Sequence, residues 1–307
     1  MIEPELATVF VGSSIRLAAP LLLAATGELV SERAGVLNMS VEGMMLTGAF
    51  AGAVGSWATG SPVIGLALGV LCVLPIAWLQ AFLSITLRAN QIVTGIGINI
   101  LVLGATTLGY RALFGSRSRA EIPGLDKWAP PGLADIPLLG EHVFHQTWLL
   151  YGAVLLVIAV AWVMRSTSLG LALHAAGTAP QAAANSGLKV TRIRYGAVLV
   201  TGFMSALAGC FLSIGDIHTF TEGMTSGAGY LAIAEVIFGN WKLGRTLLAC
   251  GLFGAATALQ FQLPAMGVQV PSALLIMLPY VLALLAVGGL VGRQIAPAAL
   301  TRPYTGH

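Results

Sequence analysis

Two stretches of this sequence, Leu149–Met164 and Leu274–Leu290, run without a single charged or amide side chain. Continuous runs of this kind do not alternate as the strands of a membrane barrel do. They suit helices that cross a bilayer, which need about 20 mostly apolar residues. Charge is scarce everywhere else too. Only 9% of the chain is charged and 57% is hydrophobic, whereas a soluble domain carries about 25% charged residues. So few charges cannot cover a water-facing surface of this size. The sequence therefore predicts an all-α protein, a polytopic transmembrane helix bundle filling residues 1–307 as one domain. Its length allows roughly eight to ten spans, some of them broken or re-entrant.

The predicted spans are 9–30, 38–59, 62–87, 91–114, 147–164, 194–214, 229–241, 246–263 and 271–291. The seventh is short for a full crossing and reads as a half-helix or one part of a broken pair. The stretch 31–37 admits either a cytoplasmic turn or a re-entrant loop. The first residues, MIEPELATVF, lack the basic start of a cleaved signal peptide, so the first span is expected to be retained. Pro20, Pro75 and Pro279 fall within spans and predict kinks. Gly48–Gly52 and Gly65–Gly69 have the GxxxG spacing of close helix packing in lipid.

Two connections are long. An outer loop, about 115–146, is rich in Pro and Gly, including Pro123, Gly124, Pro130, Pro131, Gly132, Pro137 and Gly140. An inner loop, about 165–193, predicts a short helix capped by Thr178, with Pro180 in its first turn and Gly187 as its stop. Placing that loop in the cytoplasm puts Arg165, Lys189, Arg192 and Arg194 inside. Alternation then adds Arg33, Arg88, Lys242, Arg245, Arg293 and Arg302. The other face receives Arg111, Arg117, Arg119 and Lys127, diluted by Glu121, Asp126, Asp135 and Glu141. The C-terminus is thus expected in the cytoplasm. The basic residues form no stripe, so nucleic acid is not an expected partner; lipid is.

Several chemistries have no signature here. There is no GxxxxGK[ST], no GxSxG and no HExxH. Gly227-Ala-Gly229-Tyr-Leu-Ala232 matches a dinucleotide fingerprint only on paper, because no strand leads into it. Its glycines read as a turn into a span. Cys72, Cys210 and Cys250 lie in apolar runs and read as small buried hydrophobes. His142 and His145 stand near Glu141 and read as a solvated loop. No metal or cofactor is expected, and no catalytic residues.

The polar residues inside spans carry more information. A carboxylate at the centre of a lipid-facing helix costs roughly 2.5–3.5 kcal/mol on insertion scales, so such groups turn inward. Asn38 and Glu42 are spaced to share one helix face. Gln91, Thr94 and Asn99 open the fourth span; Glu235 and Asn240 sit in the seventh. These groups either line a polar pathway or hydrogen-bond between helices, and the set as a whole is read as a path. Glu28, Glu32 and Arg33 read as a compact charged turn at the interface, with local ion pairing.

Pro20-Leu-Leu-Leu-Ala, Gly27-Glu28, Glu32-Arg33-Ala-Gly35-Val-Leu-Asn38 and Glu42-Gly43-Met44-Met45 resemble the opening signature of ABC importer permeases for nucleosides and simple sugars. That group lies within the branched-chain amino acid and ribose permease superfamily. A second match is Gly170-Leu-Ala-Leu-His174-Ala-Ala-Gly177 with Ala184 and Gly187. A third is Gly229-Tyr-Leu-Ala-Ile-Ala234 with Ile237-Phe238-Gly239-Asn-Trp241. The resemblance covers nearly the whole chain. It departs at His174, where the family often has Arg, and at Glu235, where a small apolar residue is commoner. It implies a transport subunit rather than an enzyme, in a bacterial plasma membrane. A separate ABC ATPase would dock on Gly170, His174, Gly177, Pro180, Ala184, Gly187 and Arg192. A second permease, copy or paralogue, would complete the pathway, and an extracytoplasmic binding protein would deliver a nucleoside or simple sugar. The alternative is an ion-coupled carrier using Glu42 or Glu235 for protons; such a carrier needs no docking helix.

Overall fold

The computed structural model describes residues 4–115, 121–130, 132, 143–267, 270–285 and 295–306. The chain is helical as expected. α1 (Pro4–Arg33), α2 (Val41–Thr59), α3 (Pro62–Ala81) and α4 (Gln91–Phe114) precede the outer loop. Two short strands, β1 (Lys127–Trp128) and β2 (Gln146–Thr147), pair antiparallel with Lys127 opposite Thr147. Then come α5 (Trp148–Ser166), α6 (Ser168–Thr178), α7 (Pro180–Asn185) and α8 (Val190–Cys210). The chain ends with α9 (Ala228–Phe238), α10 (Leu243–Ala265) and α11 (Ser272–Leu285). Six of these helices, some with their π-helical extensions, are long and apolar enough to cross a membrane; α9 and α11 are shorter apolar helices. The predicted residues Arg117, Arg119, Pro131, Asp135, Pro137, Gly140, Glu141, His142 and Arg293 lie outside the described residues, as does the end of the ninth span.

α8 is the hub. It packs on α1, α2 and α3, and its Met204, Ala206, Ala208 and Cys210 are fully buried. Around it the outer helices turn large apolar side chains outward. Ile100 on α4, Leu155 on α5 and Leu284 on α11 are 67%, 67% and 74% exposed. Those faces suit hydrocarbon as solvent. The GxxxG pairs do what their spacing predicts. A Cβ on Gly65 would lie 2.5 Å from the Gly52 carbonyl oxygen, and one on Gly69 would lie 3.0 Å from that of Gly48. Only hydrogen lets α2 and α3 approach so closely. Cys210 joins this seam and donates from Sγ to the Gly48 oxygen at 3.2 Å. Cys210 and Cys250 are buried as expected; Cys72 instead lies exposed on α3.

α3 and α8 end alike. Both pass into π-helical turns, Phe82–Thr86 and Phe211–Ile217. Both turns open with the same tetrapeptide, Phe-Leu-Ser-Ile. In each, the serine hydroxyl donates to the carbonyl four residues back, Ser84 to Gln80 and Ser213 to Gly209. Helices α4 and α9 follow these two turns, and both begin against the segment 39–43. A Cβ on Gly95 would meet Met39, and one on Gly229 would meet Glu42.

The stretch after α1 doubles back on itself. α1 ends at Arg33, and Gly35 takes φ +89° to reverse the chain. The backbone then climbs back beside α1, where the Asn38 N–H donates to Glu28 Oε1 at 2.8 Å. Ala34, Val36, Asn38 and Ser40 are all fully buried. Asn38 therefore precedes α2 rather than sharing a helix face with Glu42, because the Asn38 side chain caps the turn. Its Oδ1 accepts from the N–H and hydroxyl of Ser40.

Candidate functional site

The first part of the site is a junction at the middle of the bundle. α9 has 11 residues, about 16 Å of helix, and cannot cross a hydrocarbon core of about 30 Å. It starts inside the protein, so its first N–H groups need acceptors there. Glu42 supplies them. Its Oε1 accepts from Gly227 N–H at 2.8 Å and from the Thr225 hydroxyl at 2.6 Å; its Oε2 accepts from Gly229 N–H at 2.7 Å. The negative carboxylate sits at the positive end of the helix dipole. Gly227 turns the chain with φ +85°, and a Cβ on Gly229 would lie 2.5 Å from the Glu42 backbone. The glycines that mimic a dinucleotide fingerprint are thus the turn into a half-helix.

Asn99 completes the junction. Its Oδ1 accepts from Gly43 N–H at 2.8 Å, and its Nδ2 donates to the Met39 carbonyl and to the Tyr230 hydroxyl, each at 2.8 Å. Gln91 Oε1 accepts from Leu37 N–H at 2.9 Å, and Thr94 donates to the Asn90 carbonyl. The structure therefore gathers Asn38, Glu42, Gln91 and Asn99 around the broken backbone at 37–43, with Thr94 beside them. Glu235 and Asn240 stand apart. Glu235 is fully buried and accepts from Cys250 Sγ at 3.1 Å; Asn240 Oδ1 accepts from Ile295 N–H at 2.8 Å.

The second part is a layer at one end of the bundle. The inner connection holds two helices, α6 and α7, and α8 starts as early as Val190. Thr178 does not cap α7. It is the last residue of α6 and donates to the His174 carbonyl, while Ala179 occupies the cap position without a side-chain bond. Pro180 is buried in the first turn of α7, and Gly187 closes it at φ +87°. α6 lies tight against its neighbours. A Cβ on Gly170 would lie 2.5 Å from the Val163 and Met164 oxygens, and one on Gly177 would lie 2.0 Å from the Arg33 oxygen. His174 and Arg192 are exposed and Ala184 is half-buried.

Arg194 binds this layer together. It is 1% exposed and donates to the carbonyls of Ala34 at 3.1 Å, Arg302 at 3.1 Å and Ala176 at 3.4 Å. A guanidinium with several donors in a fixed fork suits a site where three chain ends meet. Ala299 N–H adds a bond to the Gly177 carbonyl at 2.9 Å. Arg33 donates from Nε to the Trp241 carbonyl at 2.9 Å, and its Nη1 lies 3.0 Å from His174 Nδ1. Glu28 and Glu32 form no surface turn. Both are fully buried, and Trp241 Nε1 donates to Glu32 Oε2. The ion pair expected with Arg33 is not formed, because α1 continues through these residues and turns both acids inward. In the sequence Arg194 stands out only as a positive charge. Its spacing from Val190 and Ala197 along a helix, with the apolar face, was the available sign of burial.

The third part is a crevice of about 670 Å³ at the other end, between α1, α10, α11 and the turn at 224–228. Arg16 and Asp216 pair across it at 3.1 Å. Of its lining residues the sequence marks Pro20 and Pro279 as kinks and places Leu21, Ala228 and Leu231 in motifs, but it gives Arg16, Asp216, Gln260 and Gln262 no role. The outer loop closes over the neighbouring helices. Leu125 N–H donates to the Ile214 carbonyl, and Ser56 donates to the Pro123 carbonyl. Arg111 grips Glu222 with two bonds, at 2.8 and 3.1 Å, and these hold the Glu222 carboxyl below the usual carboxylate range. Among the described residues no group of His, Cys, Asp or Glu gathers to hold a metal ion.

A family model described as "Branched-chain amino acid transport system / permease component" matches residues 10–292. The chain belongs to this family. The permease is 39% identical over 255 residues to the putative glucose ABC transporter permease protein TsgC13 of Haloferax volcanii, covering 81% of this chain and 76% of that one. It is 34% identical to the guanosine ABC transporter permease protein NupQ of Bacillus subtilis, covering 98% and 97%. It is 31% identical to the nucleoside ABC transporter permease protein NupC of Lactococcus lactis, covering 95% of each. No solved structure matches the permease. Family and fold together make it a multi-pass membrane protein and a transport component, not an enzyme.

Proposed function

We propose that this permease is the membrane subunit of an ATP-driven importer and that a separate ATPase docks on α6 and α7. The observation that carries the reading is the α6–α7 hairpin. It is exposed on one side at His174 and Gln181, with the exposed Arg192 beside it at the start of α8, and on the other it is pinned to α1, α8 and the C-terminal segment. A push on the hairpin would reach α1 through Gly177 and Arg33, and α9 through Arg33 and Trp241. The basic residues Arg33, Arg165, His174 and Lys242 gather in one cleft at this end, which supports a cytoplasmic location for it and for the C-terminus. Gly170, Gly177 and Pro180 set the hairpin's pose, and His174, Ala184 and Arg192 offer contacts. Gly187 ends α7 so that α8 can enter the bundle.

A second permease, copy or paralogue, pairs with this one, and an extracytoplasmic binding protein delivers the solute. The solute is a nucleoside or simple sugar. The nucleoside is preferred, because the guanosine and nucleoside relatives align over 98% and 95% of the chain. Glu42 and Asn99 set the floor of the route by fixing where α9 begins. Gln91, Thr94 and Asn38 support that floor; Glu235 and Asn240 lie nearer its cytoplasmic exit.

The test is purification of the permease with its neighbours from a native membrane. An ATPase should co-purify, and uptake should survive collapse of the proton gradient. Gly177→Val should abolish both co-purification and uptake while the protein still inserts, because its side chain overlaps the Arg33 carbonyl. Uptake by the purified chain alone, or wild-type-like coupling in Gly177→Val, would overturn the reading.

A further inference from the structure

The crevice between α1, α10 and α11 has largely apolar walls that also carry groups hydrocarbon would not tolerate. Arg16 and Asp216 lie on it, and so do the amides of Gln260 and Gln262. Charged and amide groups on a membrane helix face water, a cavity or protein. Its volume of about 670 Å³ falls within the roughly 300–1,000 Å³ of small-molecule sites. Below, the crevice is closed by Leu21 and Leu231, which pack with the fully buried Phe253.

The chemistry of the walls is selective. The two charges neutralise each other, so the crevice offers no net charge to an anion or a cation. The Gln260 amide bonds to no described residue, leaving donors and an acceptor free side by side. Gln262 spends one donor on Ser13 at 3.4 Å. Two rings border the space, Phe261 at 61% and Tyr280 at 40% exposed. Aromatic faces and a free amide together suit a flat, uncharged ring with paired donors and acceptors.

The crevice also touches the turn that opens α9. Thr225 and Ser226 line it, and they belong to the turn that Glu42 holds. Tyr280 donates to the Ser226 carbonyl at 2.6 Å. A solute seated there would press on the start of α9. The far end of α9 leads to Trp241, which meets Glu32 and Arg33 in the coupling layer.

We propose that this crevice is the outward-facing binding vestibule of the permease, and that it takes an uncharged nucleoside with its base between the aromatic rings and its edge on Gln260. This rests on the importer reading above. The test uses the whole importer in intact cells, in a Cys72→Ala background that leaves only buried cysteines. Thr257→Cys, in the crevice wall, should react with a charged, membrane-impermeant methanethiosulfonate added outside. Saturating guanosine should slow that reaction several-fold, and glucose should not. Leu155→Cys, on the apolar face of α5, should stay unlabelled. Gln260→Ala should raise KM for guanosine about tenfold, the loss of one good hydrogen bond, with the maximal rate within about twofold; Gln260→Asn should recover part of it. An unlabelled Thr257→Cys, protection by glucose alone, or an unchanged KM in Gln260→Ala would overturn the assignment. ATPase co-purification is scored on the same samples, so loss of the vestibule with the ATPase retained refutes this proposal and not the importer.

Discussion

The permease holds carboxylates inside the bundle at three places; Glu235 takes one bond from Cys250, and the other two are held in opposite ways. Glu42 is half-buried, and both of its oxygens are occupied by three donors, two of them the N–H groups of the cap residue Gly227 and of Gly229 at the start of α9. Glu28 and Glu32 stand one turn apart on α1 and are fully buried, with one donor each; outside the pair, Glu28 Oε2 and Glu32 Oε1 have no partner. The first carboxylate substitutes for the missing turn of a broken helix. The second pair reads as a joint, tying α1 to the Asn38 turn and to the Trp241 corner. An acid within a span therefore has two uses here, and only its donors tell them apart.

The sharpest way to break the comparison is at Gly229. Gly229→Val puts a side chain where a Cβ would already lie 2.5 Å from the Glu42 backbone. The carboxylate then cannot reach the N–H groups of α9. Uptake should fall to background, and the importer should lose most of its thermal stability in detergent. The same change at Gly251, where a Cβ meets nothing, should leave both near wild type.

A smaller effect is expected from Glu42→Gln. The amide keeps the shape but replaces one acceptor oxygen by a donor, which faces another donor. Hydrogen bonds to charged acceptors contribute about 1.5–3 kcal/mol, so a loss of about 2 kcal/mol is expected, read as a lower Tm and a roughly tenfold fall in uptake. A Glu42→Gln permease with wild-type stability would show that the charge at the start of α9 has no structural weight.

Much of this was legible in the sequence because apolar length and polar punctuation dictate helices directly. The nine spans fall close to the helices that form, and the shortness of 229–241 signalled the half-helix. The GxxxG pairs signalled the α2–α3 seam. What stayed hidden depends on partners far away in the chain. Glu42 finds its donors at Thr225, Gly227 and Gly229. Asn99 finds Tyr230. Arg194 finds Ala34 and Arg302. Hydropathy treats each as an isolated cost and cannot say which neighbour offsets it. The charged run Glu28–Arg33 misled for the same reason: it looked like a helix end in water, but α1 carries it through the core. The crevice was invisible because Arg16, Asp216 and Gln260 come from separate helices and share no spacing.

Glu32→Gln gives the smallest expected effect and the cleanest contrast with Glu42. Glu32 Oε2 accepts from Trp241 Nε1, and an amide oxygen can accept the same bond. Glu32 also meets the Glu28 side chain one turn away, and an amide nitrogen at this position can donate to that carboxyl, so the contact survives the change. Burying an unpaired charge is costly, and the neutral amide avoids that cost. Tm should therefore stay within a few degrees of wild type or rise, and uptake should change less than about twofold. Glu32→Ala serves as the control: it leaves Trp241 Nε1 without an acceptor, at about 1–3 kcal/mol for a buried donor. If Glu32→Gln instead proves as damaging as Glu42→Gln, the charge itself is required at the joint, and the two acidic centres are alike after all.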